Sequence, residues 1–374
     1  MKVLVAPNSM KGSLNAFNFA EIIENAFRHC SEEFEIRKIP VADGGDYTGE
    51  VLSGNLNAKP ISVIVKGPLG SAVQSKYSIA GKKAIIEMAD ASGMKLVETK
   101  NLNPMIASSF GTGQLILDAI GKGCDEILLA VGGSATVDGG MGMMEALGFR
   151  FLDEQGSVLT GNGKNLEKVK TIVVKNLPEG LAVNIICDVD NPLLGASGAA
   201  AVFGPQKGAD NEMAGQLEKG LQNWAEIIKN VTGNDLKDVE GTGAAGGIAV
   251  PLVAFLKAEI VPGADFVLKQ LNFEESVKWA DLVITGEGKI DNQTLNNKAP
   301  FAVAKISKKF NKPVIAIGGE IEVGAESVFD GIYSLTNGPI SLEAAMQNAG
   351  ELLYNIAGQL AKTLLSVKNI YESN

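Results

Sequence analysis

Short apolar runs recur along the 374-residue chain, and most of them stop at a cluster of glycines and polar residues. Residues 2–6, 34–39, 127–131, 183–187, 282–285, 313–317 and 332–335 read as buried strands. Helical periodicity follows several of them: from near Leu14 to about Arg28, over 114–120, 143–147 and 213–231, and from about Leu342 to the end. Alternating strands and helices predict parallel pairing, because parallel strands need a crossover. Counting the strands near residues 3, 36, 129, 283, 315 and 333 predicts a parallel sheet of about six.

Between residues 59 and 96 the pattern changes. Residues 61–65, 73–79 and 84–88 are short strands joined by Gly67-Pro68-Leu69-Gly70 and Gly81-Lys82-Lys83. These links are too short for crossover helices, so this sheet is at least partly antiparallel. The stretch 151–179 is polar and Gly-rich. The expected fold class is therefore α/β with two domains. A Rossmann-like or flavodoxin-like parallel-sheet domain would comprise residues 1–64, about 105–150, and 278–374. An inserted mixed α/β domain would comprise about 65–104 and 151–277.

The densest polar stretch is residues 131–142, where a strand turns into a helix. Gly132, Gly133, Gly139 and Gly140 permit positive φ and close ligand approach. Ser134, Thr136 and Asp138 add two hydroxyls and a carboxylate. Ligands bind beyond the carboxyl ends of open α/β strands, and free N–H groups at a helix start attract phosphate. The pattern repeats: Ser9, Lys11 and Ser13 follow the first strand, Asp43-Gly44-Gly45 the second, Asp188 the strand at 183–187, and Gly286-Glu287-Gly288 the strand at 282–285. Such repetition is the mark of a composite site. Each residue also has a structural reading: Ser13 or Asn15 can cap a helix, Asp188 can close an Asx turn, and a lysine can be a solvated surface charge.

Charge and composition narrow the chemistry. A net charge of −10 argues against a nucleic-acid partner. No apolar run is long enough to span a membrane, and the N-terminus reads as a strand rather than a signal peptide. Cys30, Cys124 and Cys187 lie far apart and suggest the reducing cytoplasm. His29 is the single histidine, so a histidine-built zinc site is excluded, and a Ser-His-Asp hydrolase would need it as base but lacks any Gly-x-Ser-x-Gly elbow. With only Arg28, Arg37 and Arg150, phosphate chemistry would lean on lysines, backbone N–H groups and a metal. No Walker A motif is present. The letters of G-x-G-x-x-G occur at Gly241, but no strand is expected before them, so an NAD-dependent dehydrogenase is one alternative and a non-catalytic small-acid binder another.

The ordered set of motifs resembles the glycerate kinase family of bacterial sugar-acid catabolism. It comprises Ala6-Pro7-Asn8-Ser9-Met10-Lys11-Gly12-Ser13, Val41-Ala42-Asp43-Gly44-Gly45, Gly111-Thr112-Gly113 and the stretch from Gly132 to Gly140. Further on come Cys187-Asp188-Val189-Asp190-Asn191-Pro192, Phe203-Gly204-Pro205-Gln206-Lys207-Gly208-Ala209, Gly243-Ala244-Ala245-Gly246-Gly247 and Ile284-Thr285-Gly286-Glu287-Gly288. The resemblance implies an ATP-dependent kinase of D-glycerate, with the 2-hydroxyl favoured as acceptor and the site in a cleft between two α/β domains. On that basis Asp188, Lys11 and Asp43 are the catalytic candidates. Gly132, Gly133, Ser134, Thr136, Gly139, Gly140, Gly286, Glu287 and Gly288 are the candidates for nucleotide, and Ser9, Ser13, Lys207, Asn191 and Thr112 for substrate. Asp188, Asp138, Glu287 and Asp291 could hold Mg²⁺. Asn8 stands where the family usually has Asp, Tyr47 where it has Gly, and Asn297 where Gly is usual. Monomer and homodimer both remain open.

Overall fold

The structure is a computed structural model that describes residues 1–291, 298–322 and 324–372, so Asn297 lies outside the described residues. Its strands, in chain order, are β1 (Lys2–Val5), β2 (Glu35–Lys38), β3 (Lys59–Lys66), β4 (Ala72–Ala80), β5 (Lys83–Glu87), β6 (Glu126–Ala130), β7 (Arg150–Leu152), β8 (Val158–Leu159), β9 (Thr171–Val173), β10 (Ala182–Cys187), β11 (Glu259–Pro262), β12 (Leu282–Ile290), β13 (Val314–Ile321) and β14 (Gly331–Ser334). They fall in two compact units: Met1–Asp43 with the chain from Gly263 onward, and Gly44–Pro262.

The first unit holds a parallel sheet in the order β14-β13-β12-β1-β2. This is the flavodoxin-like order, with a switch point between β1 and β12. Both faces are covered, as parallel strands require. Val3 and Val5 pack with Phe19, Ile23 and Phe27 of the helix Ala16–Cys30 and with Leu353 and Ala357 of the helix Ala349–Glu372. Leu4 and Ala6 point the other way, into a core with Leu268, Phe273, Val277 and Val303. The helix Ala16–Cys30 starts where Asn15 Oδ1 accepts the Asn18 N–H at 2.7 Å, so Asn15 rather than Ser13 is the cap.

The second unit holds a mixed sheet in the order β11-β10-β6-β5-β4-β3. β5, β6, β10 and β11 run parallel, and β4 and β3 continue as the expected antiparallel pair. A small antiparallel sheet, β8-β7-β9, occupies part of the Gly-rich stretch. Phe151 of β7 meets the Trp224 ring edge-on at 5.3 Å, anchoring the helix Asn211–Thr232.

The expected division of the chain changes in three places, one being residues 263–277, which belong to the first unit. β6 pairs between β5 and β10, so residues 105–150 join the second unit instead of extending the first sheet. Residues 44–64 do likewise. Alternation along a chain reports parallel pairing but not the sheet in which a strand lies, because periodicity is local and pairing is not. β12 also runs on to Ile290, so Gly286-Glu287-Gly288 is strand, paired with β13, and not a turn.

Candidate active site

In the second unit the parallel strands end level. Glu87 pairs with Ala130, Ala130 with Ile186, and Cys187 with Pro262. Gly132 and Asp188 therefore each lie two residues beyond the paired Ala130 and Ile186, on one sheet edge. Asp188 is exposed there, directly after the buried Ile185-Ile186-Cys187. The turn Gly44–Asp46 closes on the glycine pair: a Cβ on Gly132 would sit 2.8 Å from the Gly45 carbonyl carbon, and one on Gly133 would sit 3.2 Å from Asp46 Oδ1. Gly133 has φ +68°, and its carbonyl accepts the Met94 N–H at 2.9 Å. Both glycines are half-buried, so their backbone can still be approached.

The rest of this loop faces inward. Ser134, Thr136 and Asp138 are buried. Lys207, expected to bind substrate, is 2% exposed and donates from Nζ to Ser134 Oγ at 2.8 Å and to the Thr136 carbonyl at 2.7 Å. Burial pushes its ammonium down to about 7, against the opposing pull of the Asp138 charge. A neutral amine has two N–H donors, and these two acceptors satisfy both. Lys207 is therefore a strut of the loop, hydrogen-bonded at two points within it.

Asp138 also corrects the metal candidates. Its Oδ2 accepts the Ser109 N–H and Oγ–H, each at 2.7 Å, and the Gly142 N–H at 3.2 Å, while Oδ1 accepts the Gly140 N–H at 3.1 Å. Burial holds the carboxyl above its usual range, and those hydrogen bonds oppose the shift. The group ties the start of the helix Met141–Ala146 to the start of the helix Phe110–Gly121, which uses both of its oxygens.

Gly139 and Gly140 are glycines for packing reasons. A Cβ on Gly139 would lie 2.5 Å from Trp224 Cδ1, and one on Gly140 would lie 2.9 Å from Pro251 Cγ. Thr112 is buried with its hydroxyl on Ser92 at 2.8 Å. Asn191 spends Nδ2 on the Ser197 carbonyl at 2.7 Å. The Gly241 sequence follows no strand, and Cβ atoms on Gly243 and Gly246 would each fall 2.1 Å from the carbonyls of Pro192 and Thr136. Those glycines serve close chain packing, which removes the physical basis for a dinucleotide turn.

Two residues of this edge were not singled out from the sequence. Glu87 ends β5 and accepts the Tyr47 N–H at 2.9 Å on Oε1, with its carboxyl pushed up by burial. Asp46 borders Gly133. Glu87 carries the same signal as Asp188, a carboxylate at a strand end, but that signal was hidden in what read as a simple hairpin. Tyr47, where glycine was the resemblance's usual residue, holds φ +67°, a left-handed conformation that costs a non-glycine residue about 1 kcal/mol.

In the first unit the switch point gathers Asn8, Asp43 and the β12 strand. Asn8 N–H donates to the Gly286 carbonyl at 2.8 Å, and Thr285 Oγ1 donates to the Ala6 carbonyl at 2.8 Å. Asn8 Nδ2 donates to Asp43 Oδ2 at 3.3 Å, while its Oδ1 accepts the Ser9 N–H at 2.8 Å. The neutral amide thus orients Asp43, a task a carboxylate at position 8 could not perform without repulsion. Lys11 is exposed and Ser9 and Ser13 are half-buried. Glu287 is buried in β12, and Gly286 is fixed by packing, because its Cβ would meet the Ile317 carbonyl at 2.2 Å. Gly288 is half-buried, and a Cβ there would only touch Met10 Cα, at 3.5 Å. Lys289 bridges to Glu322 at 2.6 Å and stands 4.0 Å from Asp291.

Two α/β units, each with carboxylates and hydroxyls beyond the ends of parallel strands, define an α/β enzyme acting on a small molecule. A sequence profile described as Glycerate kinase family matches residues 3–365. A glycerate kinase of Halalkalibacterium halodurans is 42% identical over 368 residues, covering 96% of this chain and 97% of the relative. The glycerate 2-kinase of Escherichia coli K12 is 40% identical, with 97% and 98% covered. A crystal structure of a proposed glycerate kinase 2 from Salmonella typhimurium LT2 superposes with a TM-score of 0.89 at 40% identity, over 99% of both chains. The chain belongs to the glycerate kinase family.

Proposed function

We propose that the chain transfers the γ-phosphoryl group of ATP to the 2-hydroxyl of D-glycerate. The observation that carries this reading is the position of Asp188, an exposed carboxylate two residues past a paired, buried strand position, on the edge that also bears Gly132 and Gly133. Full-length similarity to relatives named glycerate kinase and glycerate 2-kinase supports the substrate and the acceptor. Neither the dehydrogenase nor the non-catalytic reading has such support.

Phosphoryl transfer asks the protein for positioning and charge neutralisation. A bond forms between the glycerate hydroxyl oxygen and the γ-phosphorus, the bond from that phosphorus to ADP breaks, and the hydroxyl proton passes to the Asp188 carboxylate. Gly132 and Gly133 offer backbone N–H groups to phosphate oxygens. Within the first unit, Lys11 supplies positive charge for a carboxylate, and Asp43, oriented by Asn8, supplies an acceptor for a hydroxyl.

Among the described residues no group of three or more His, Cys, Asp or Glu could hold a metal ion. Mg²⁺ in kinases needs only one or two carboxylates, with substrate phosphates and water completing its shell, so Asp188 fits such a role. When bound, Mg²⁺ neutralises the charge of the transferring phosphate. Among the described residues no helix is long and apolar enough to cross a membrane, and Cys30, Cys124 and Cys187 are free thiols, which suits a cytoplasmic enzyme.

The test is ADP release with D-glycerate against other small acids, followed alongside NADH absorbance. ADP release with D-glycerate and a flat NADH trace are expected; absorbance change without ADP would overturn the reading.

A further inference from the structure

Tyr47 occupies a backbone conformation that suits glycine, yet it carries a large aromatic side chain. Among the described residues six non-glycine residues have positive φ; three are asparagines, which tolerate it, and Tyr47 is the only aromatic. Strain of this kind persists where the surroundings over-determine it, and here they do. Tyr47 N–H is held by Glu87 Oε1 at 2.9 Å. The next residue, Thr48, accepts the Gly44 N–H at 3.1 Å and donates to the Gly45 carbonyl at 2.9 Å. The backbone is thus pinned on both sides of a ring that stays 45% exposed.

The place of that ring is informative. Asp46, the preceding residue, borders Gly133, with 3.2 Å between its Oδ1 and a Cβ built there. Tyr47 lies one peptide unit on, about 3.8 Å further along the chain. A tyrosine side chain reaches further than one peptide unit, so a ring displayed there is within a nucleotide's length of the glycine pair. Glycerate, small and polar throughout, has no flat apolar face for such a ring, whereas a purine does.

We propose that Tyr47 is the base-stacking residue of the nucleotide site, its ring taking one face of the adenine of ATP whose phosphates lie at Gly132 and Gly133. This rests on the assignment of that glycine pair to nucleotide phosphates. Tyr47 then sets nucleotide affinity and leaves the phosphoryl-transfer step alone.

Calorimetric binding of Mg²⁺-ATP and of Mg²⁺-tripolyphosphate, which has no base, tests this with the full chain. Tyr47→Gly and Tyr47→Asn both suit the left-handed backbone, and thermal midpoints at or above wild type would show both folded. About tenfold weaker ATP binding is expected in both, the low end of base-stacking energies. Tripolyphosphate binding should not change, and Tyr47→Phe should bind ATP as wild type does. Equal ATP affinity in wild type and both ring-less variants would overturn the proposal, as would an equal loss for ATP and tripolyphosphate. A wild type that binds ATP but releases no ADP with D-glycerate would instead defeat the kinase reading and leave the stacking result to be judged by these affinities.

Discussion

Lys207 Nζ donates to Ser134 Oγ at 2.8 Å, so the cation most expected to face the substrate instead braces the central loop from within. Lys207→Met keeps the volume but leaves Ser134 Oγ and the Thr136 carbonyl without this donor, at an expected cost of about 2–4 kcal/mol. The pH dependence follows from the depressed ammonium. Folded Lys207 titrates near 7 and the unfolded one near 10.5, so between these values the unfolded chain binds more proton. Stability should therefore rise with pH across that window, by up to about 1.4 kcal/mol per unit. Urea unfolding of wild type and Lys207→Met at pH 7, 8 and 9 checks this. Parallel pH profiles for the two would show that Lys207 is charged in the fold.

Asp138 is expected to matter for folding and not for metal. Asp138→Asn leaves one acceptor oxygen in place of two, so either Gly140 or the Ser109 and Gly142 donors lose their partner, and stability should fall by about 1–3 kcal/mol. In whatever fraction stays folded, the Mg²⁺ concentration giving half-maximal rate should match wild type. A stable variant with a raised Mg²⁺ requirement would make Asp138 a ligand after all.

The two glycine pairs should separate by phenotype. Gly133→Asn is expected to fold, because asparagine tolerates the φ of +68°, and to raise the ATP KM, because a side chain is added at a half-buried backbone position. Gly139→Ala should instead lower the thermal midpoint, since its Cβ would lie 2.5 Å from Trp224 Cδ1. Steady-state kinetics beside a thermal melt distinguishes the pairs, and an unchanged ATP KM in folded Gly133→Asn would remove Gly133 from the nucleotide site.

Asp188→Asn keeps the shape and any turn the side chain closes, but loses the base and the metal ligand. The expected result is a folded protein that binds glycerate and loses at least about 10²-fold in kcat. Near-normal turnover would move the role to Asp43, Glu287 or Asp291.

Much of this was legible in the chain. Strand ends carry the candidate residues because buried apolar runs are unmistakable, and Asp188 stands where its run predicts. The assignment of β6 to the second sheet was not legible, since apolar character is the same in either sheet. The inward turn of Ser134, Thr136, Asp138 and Lys207 was not legible either. Hydroxyls and charges that bind a ligand look identical in sequence to those that satisfy one another, and only the pairing of Lys207 with Ser134 distinguishes them. Gly139 and Gly133 likewise share a letter, while one is packed against Trp224 and the other lies half-buried at the sheet edge.

The central claim is phosphoryl transfer to the 2-hydroxyl of D-glycerate, and ³¹P and ¹³C NMR of the product formed from ATP, Mg²⁺ and D-glycerate tests it most directly. The account predicts ADP and 2-phosphoglycerate in equal amounts. ATP left intact, or phosphate attached at the 3-position, would contradict it.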